Sequence, residues 1–292
     1  MATAAQWLEG ARPRTLPAAI SPVAAGTGAA YALDGGNPLR AVLALVVAVA
    51  LQIGVNYAND YSDGIRGTDA DRVGPLRLTG SATAPPETVK RAAFACFGVG
   101  AVAGAVLVIL SGQWWLLAVG AAAVLAAWFY TGGSHPYGYL GLGEVFVFVF
   151  FGLVAVGGTA YAQTGLVTWT AVLVAVPVGL LACALLVANN LRDIPGDVRA
   201  HKRTLAVLLG ERRTRVLYEV LVVVPFVVAG VLAIRENGPP LIAWAAAPLA
   251  LGAISPVHSG ASGPALIPTL KATGQLTLAF AVLLAVGLAI RN

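Results

Sequence analysis

The chain has 292 residues, 58% of them hydrophobic and only 11% charged, with a net charge of +5 and a mean hydropathy of +0.82. Soluble domains carry about 25% charged residues, so an ordinary soluble fold is excluded and a polytopic membrane protein is indicated. In lipid the backbone must satisfy its own hydrogen bonds, and the long unbroken apolar runs do not suit the short alternating strands of a barrel. The expectation is an all-α polytopic membrane helical bundle of about nine transmembrane helices, forming a single domain over 1–292.

The opening residues lack a basic stretch and include Glu9, so they do not read as a cleaved signal peptide. Residues 6–16 contain Trp7, Arg12 and Arg14, a mixture of indole and cations that suits the membrane interface. A span needs about 20 mainly apolar residues. Such segments fall near 15–33, 39–59, 90–111, 113–131, 143–163, 169–190, 213–234, 239–256 and 272–290. The eighth is short and runs into a Pro/Ser/Gly-rich stretch over 255–268.

In the third segment, Gly100-Ala101-Val102-Ala103-Gly104 is a GxxxG pattern, which lets helices approach closely; internal packing is its expected use. Phe146, Phe148, Phe150 and Phe151 crowd the fifth segment and are expected to serve helix packing ahead of lining a channel. Cys96 and Cys183 lie far apart inside apolar runs, and His135, His201 and His258 are scattered. Neither a disulfide framework nor a zinc or haem site is suggested, and no phosphate-cradling glycine loop is present.

Nine crossings put the termini on opposite sides. Of the 18 Lys and Arg residues, Arg40, Arg235 and Arg291 fall on one side and the rest on the side of the N-terminus. Cytoplasmic loops carry the excess of basic residues. The N-terminus and the even-numbered loops are therefore expected to be cytoplasmic and the C-terminus outside. Charge placed in this way points to membrane lipid and not to nucleic acid as its partner.

Asn56-Tyr57-Ala58-Asn59-Asp60-Tyr61-Ser62-Asp63 closes the second span, and Asn189-Asn190-Leu191-Arg192-Asp193-Ile194-Pro195-Gly196-Asp197 closes the sixth. Four crossings separate them, so both emerge on the cytoplasmic face, each ahead of a long polar loop (64–89 and 198–212). On a helix Asn56, Asp60 and Asp63 share one face, and Asn189 lies one turn from Asp193. Pro195 is expected to end the helix, leaving Asp197 on the following turn.

A single Asp at a helix end is usually a cap or a solvated loop charge. Two matching clusters are harder to explain so, because an Asp at mid-bilayer costs roughly 2.5–3.5 kcal/mol. Oxygen-only ligands suit Mg²⁺, which takes one or two carboxylates plus phosphate oxygens. Asp60, Asp63, Asp193 and Asp197 are the candidates for metal and catalysis. Asn56, Asn59, Asn189 and Asn190, with Arg66, Lys202 and Arg203, are the candidates for a diphosphate; Arg72 and Arg192 stand nearby. Arginine grips phosphate with two donors and lysine acts as a point charge. On the same side, Tyr130, Tyr137 and Tyr139 gather with His135 and Glu144 around the loop between the fourth and fifth spans. Aromatic rings at that level suit an interfacial belt.

The NDxxD pattern at 59–63 and the DxxxD pattern at 193–197 resemble the signatures of the UbiA superfamily of intramembrane aromatic prenyltransferases. The chain is similar to the menaquinone branch of that family. The stretches that carry the likeness are Ala11-Arg12-Pro13-Arg14-Thr15-Leu16-Pro17, residues 59–69, Tyr130-Thr131-Gly132-Gly133, Gly138-Tyr139-Leu140-Gly141-Leu142-Gly143-Glu144, and residues 189–197 followed by Lys202-Arg203-Thr204-Leu205. Many superfamily members have a third Asp four residues after NDxxD. Here position 67 is Gly and Asp69 stands two residues later, a spacing that looks like the menaquinone branch. The lysine that follows the loop tyrosine in 4-hydroxybenzoate-type members is missing.

The resemblance implies a nine-helix fold in the bacterial cytoplasmic membrane, with Mg²⁺ at Asp60, Asp63, Asp193 and Asp197. It also implies transfer of a polyprenyl group from polyprenyl diphosphate to 1,4-dihydroxy-2-naphthoate, with loss of CO₂, and Tyr130, Tyr137 and Tyr139 are then the candidates to stack on that acceptor. Two rival readings are a prenyltransferase using homogentisate, 4-hydroxybenzoate or haem, and a secondary transporter. Transporter sites tend toward the membrane midplane, whereas these acids sit at helix ends. Prenyl length and oligomeric state are left open.

Overall fold

The computed structural model of the protein describes residues 2–68 and 76–290. Its first helix, α1 (Ala4–Gly10), begins with a reciprocal cap: the Thr3 hydroxyl accepts from the Gln6 N–H while the Gln6 side chain accepts from the Thr3 N–H, which satisfies two otherwise unpaired donors. A 3₁₀ turn (Pro13–Thr15) leads into α2 (Leu16–Tyr31). Then α3 (Pro38–Ile65) starts under the Asn37 side chain, which accepts from the Arg40 N–H. After α3 come α4 (Pro86–Ser111) and α5 (Leu116–Phe129). A single rod is built from α6 (Gly143–Val147), a π-helical stretch (Phe148–Val154) and α7 (Ala155–Thr164). Two helices of 31 residues follow, α8 (Trp169–Arg199) and α9 (Leu205–Arg235), the latter kinked at Gly210 with φ +75°. Short 3₁₀ stretches (Pro239–Ala246 and Gly263–Leu266) introduce α10 (Ala247–His258) and α11 (Ile267–Ala289).

Among the described residues, seven rods are long and apolar enough to cross a membrane; α2 and α5, of 16 and 14 residues, are shorter. Each of the nine predicted segments coincides with one of these rods. The protein is an integral membrane helical bundle. Its outward faces carry large apolar side chains such as Ile234 and Leu251, 84% and 70% exposed, which is the surface expected of a membrane contact.

Inside, α3 packs along α4, α8 along α9, and α11 against α2, which also meets α7. The main core lies where Val178 and Leu181 of α8 meet Val222 and Phe226 of α9 and Phe280 and Leu284 of α11. As expected of the GxxxG pattern, Gly100 and Gly104 serve internal packing: a Cβ at either would lie 3.6–3.7 Å from Ala50 or Val47 of α3. By contrast α5 buries none of its residues.

One local expectation is corrected. Pro195 does not end its helix, since α8 continues to Arg199. Membrane helices tolerate an internal proline where neighbouring groups re-satisfy the freed carbonyl. Asp197 therefore projects from the last turn of α8 itself.

Candidate active site

A cavity of 1390 Å³ is enclosed by α2, α3, α4, α5, the α6–α7 rod and α8. Its polar end holds Asn56, Asn59 and Asp63 from α3, Asn189, Asn190, Asp193 and Asp197 from α8, and Lys202. The remaining wall is apolar and built from small residues, including Ala44, Ala48, Gly104, Gly120 and Gly158. From Ala44 to Asp63 along α3 is about 28 Å at 1.5 Å per residue, close to the hydrocarbon thickness of a bilayer. The two acidic segments, more than a hundred residues apart in sequence, thus meet at one end of a long greasy chamber.

The two aspartates of the first segment divide their work. Asp60 is fully buried and lies off the cavity lining. Its Oδ2 accepts from the Leu78 N–H at 2.7 Å and its Oδ1 from the Thr79 N–H at 2.9 Å. Asp60 therefore anchors the returning loop, and Leu78 packs beside Gly10 and Tyr57 beneath it. Gly64 permits this approach, because a Cβ there would meet Thr79 at 2.4 Å. Asp63 faces the cavity, where it accepts from the Tyr139 hydroxyl and from Lys202 Nζ at 3.2 Å, with Arg77 at 3.9 Å. The metal role expected of Asp60 thus meets a carboxylate whose two oxygens are already turned to backbone donors.

On α8, Asp193 receives both Nε and Nη2 of Arg192 at 2.7 Å, and Arg192 also donates to Asn189 Oδ1 at 2.9 Å. Asp197 accepts from the Thr204 hydroxyl at 3.3 Å. Asn190 donates to Glu144 Oε1 at 3.0 Å. On α3, Asn56 donates to the Ala11 carbonyl and to the Thr15 hydroxyl, tying the N-terminal segment to the site, while Asn59 accepts from Thr131.

The cations are distributed differently from expectation. Lys202 lines the cavity, 9% exposed. Arg66 does not: it caps α3 and donates to the Thr131 and Gly133 carbonyls of the next loop. Arg203 is exposed, with its backbone N–H held by the Tyr139 carbonyl. Of the pair Lys202–Arg203, Lys202 thus faces inward and Arg203 outward. Among the described residues, four arginines line the cavity: Arg12, Arg14, Arg77 and Arg192. Arg12 sits at φ +54°, and its buried Nη2 has no hydrogen-bond partner among the described residues. Arg77 is brought in by the Asp60 anchor, a long-range effect with no local signal in the sequence. Asp69 and Arg72 lie outside the described residues. Arg91 is exposed on α4 and off the cavity lining, so Arg91→Ala is expected to keep activity within about twofold, as for a surface change away from special contacts; a prenyl-transfer assay on the purified variant checks this.

The three tyrosines also differ in use. Tyr139 lies under Lys202, whose Nζ is 4.6 Å from the ring centroid. Burial and the Asp63 carboxylate push its phenol above the usual range, so it remains a hydrogen-bond donor. Tyr137 gives its hydroxyl to the Ala126 carbonyl at 2.8 Å and stacks on Phe146, with centroids 3.9 Å apart. Tyr130 lines the cavity with its ring edge-on to Tyr137. Burial pushes the phenol of Tyr137, in the loop beyond the span, above its usual range. The expectation for the phenylalanines is corrected: Phe146, Phe150 and Phe151 line the cavity, while Phe148 packs against Gly179 of α8.

No group of three His, Cys, Asp or Glu residues comes together among the described residues, so those residues do not cage an ion by themselves. The donor set nevertheless fits a hard divalent cation that draws its other ligands from a diphosphate. Asp63, Asp193 and Asp197 offer carboxylate oxygens at the same polar end, with basic side chains beside them for the phosphates.

Residues 19–261 match the UbiA prenyltransferase family. The chain is 57% identical to 1,4-dihydroxy-2-naphthoate octaprenyltransferase of Mycobacterium tuberculosis, over 99% of this chain and 98% of that one. Its fold is similar to that of a UbiA homolog from Aeropyrum pernix K1, with a TM-score of 0.68 at 17% identity over 94% and 97% of the two chains. A UbiA homolog from Archaeoglobus fulgidus, solved bound to DMAPP and Mg²⁺, gives a TM-score of 0.63 at 16% identity over 96% and 99%.

Proposed function

Because the chain belongs to the UbiA prenyltransferase family, we propose that it transfers a polyprenyl group from a polyprenyl diphosphate to 1,4-dihydroxy-2-naphthoate, the prenylation step of menaquinone synthesis. The observation that carries this reading is the cavity. Asp63, Asp193 and Asp197 lie with arginines and Lys202 along a chamber whose other walls are mostly apolar and about as long as the hydrocarbon core of a bilayer is thick. An amphiphile with a charged head and a long branched tail matches that polarity. The near full-length likeness to the mycobacterial enzyme supports the aromatic acceptor.

In this reading the diphosphate sits against Lys202, Arg77 and Arg192, which exchange their carboxylate partners for phosphate oxygens. Asp63, Asp193 and Asp197 would hold a divalent ion, which would supply neutralisation of the charge that gathers on the departing diphosphate. The allylic C–O bond breaks with its electron pair going to diphosphate. The ring carbon bearing the carboxylate bonds to the allylic carbon, and loss of CO₂ returns an electron pair to the ring, giving demethylmenaquinol. Tyr139, kept protonated, donates to Asp63 and orients it, and Tyr130 offers its ring and hydroxyl to the acceptor. The apolar walls keep water from the allylic cation. The polar end faces the cytoplasm, as the basic residues gathered on that side indicate, and residues 1–292 act as one domain.

The test is prenyl transfer by the purified protein in detergent, with 1,4-dihydroxy-2-naphthoate and a long-chain prenyl diphosphate. Product with CO₂ release is expected in Mg²⁺. Chelation is expected to lower turnover at least about 100-fold, the scale of a lost electrostatic stabiliser, with recovery on adding Mg²⁺ back. Undiminished turnover after chelation would contradict the metal site. Product with a different aromatic acceptor only would move the reading to another branch of the family.

A further inference from the structure

Glu144 stands at the start of α6, 8% exposed and off the cavity lining. Its Oε1 accepts from Asn190 Nδ2 at 3.0 Å, while its buried Oε2 has no hydrogen-bond partner among the described residues. A buried carboxyl with an idle oxygen is uncommon enough to require a reason. Cys183 Sγ, donating to the Glu144 carbonyl at 3.2 Å, fixes the backbone at this point. A carboxyl oxygen that takes a hydrogen bond from an amide selects the nitrogen of Asn190 and turns its oxygen the other way.

That oxygen is the informative atom. Asn190 lines the cavity, and among the described residues its Oδ1 neither makes a hydrogen bond nor is sealed from the cavity. An amide oxygen repels phosphate and attracts a hydroxyl. The Tyr130 hydroxyl lies beside the same helix start, 3.3 Å from where a Cβ on Gly143 would be. We propose that Glu144 is a positioning residue for the aromatic acceptor: it holds the Asn190 amide so that Oδ1 faces the cavity and accepts a hydrogen bond from a ring hydroxyl. This deepens the proposed function and rests on its assignment of a hydroxylated aromatic substrate. It also moves Asn190 from the diphosphate, where the sequence placed it, to the acceptor.

The experiment measures KM separately for the two substrates in wild type, Glu144→Ala and Glu144→Gln, with the full chain in detergent and melting followed in parallel. Glu144→Ala is expected to raise KM for 1,4-dihydroxy-2-naphthoate about fivefold to tenfold, the weight of one hydrogen bond, leaving KM for the prenyl diphosphate unchanged. Glu144→Gln keeps an oxygen that can accept from Asn190 and is expected to recover most of that loss. A rise in the diphosphate KM, an equal rise in both, or no rise in either overturns the proposal. Should Glu144→Ala fail to fold, Asn190→Leu decides by the same comparison, since it removes Oδ1 and leaves Glu144 in place. A wild-type protein inactive on the naphthoate would refute the substrate assignment, and the comparison is then made with whichever hydroxylated acceptor it does prenylate.

Discussion

Asp63→Asn is expected to lower kcat about 100- to 1,000-fold, the range for loss of one preorganised electrostatic group, in protein that inserts and folds. Asp63 is the α3 carboxylate that faces the cavity, and it holds Tyr139 and Lys202 in place. Asparagine fills the same volume but cannot neutralise a metal ion, so the residual activity should require more Mg²⁺ for half-saturation. Affinity for the prenyl diphosphate should not fall, because Lys202 is freed to meet it. Asp193→Asn should behave alike, with Arg192 released from its two contacts at 2.7 Å. Turnover at the wild-type level in Asp63→Asn, over a full Mg²⁺ titration, would remove the carboxylate from the mechanism.

Asp60→Asn should fail in another way. Each carboxylate oxygen takes a backbone N–H, from Leu78 and from Thr79. An asparagine keeps one such acceptor and turns an NH₂ group against the other donor. A buried hydrogen bond to a charged group is worth about 1.5–3 kcal/mol, and the donor left facing a donor adds to the loss. A fall in Tm of several degrees is expected, together with faster proteolytic cleavage around Leu78 and Thr79. Activity should drop as well, because Arg77 reaches the cavity only while Leu78 and Thr79 are held. The informative comparison is with Asp63→Asn, which should lose catalysis without losing loop protection. If Asp60→Asn instead melts like the wild type, keeps its loop protected and needs more Mg²⁺, Asp60 is a metal ligand and the anchor role is wrong.

Much of this protein is legible without coordinates. Apolar runs of about 20 residues can only be helices in a bilayer, and the nine rods stand where those runs are. The even number of crossings between the two acidic segments put them on one face, and Asp63, Asp193 and Asp197 do line one cavity. These are consequences of local composition and of counting, so a one-dimensional reading suffices for them.

What only the tertiary structure decided depends on partners distant in sequence. Asp60 and Asp63 sit three residues apart, and periodicity places them on one helix face. A returning loop claims the first and a tyrosine from the far side of α5 claims the second. Arg66 and Arg77 are both loop cations by sequence, yet backbone carbonyls capture Arg66, and an anchor seventeen residues earlier aims Arg77 inward. Of the phenylalanines in the fifth span, Phe146, Phe150 and Phe151 line the cavity while Phe148 meets Gly179 of α8, a division set by what packs beside each. Pro195 kept its place inside α8, since the surroundings, and not the residue alone, determine whether a freed carbonyl is satisfied. Composition and period determine which segments cross the membrane and where acids cluster. The direction in which each polar side chain is spent is set by whichever donor or acceptor the fold brings within about 3 Å.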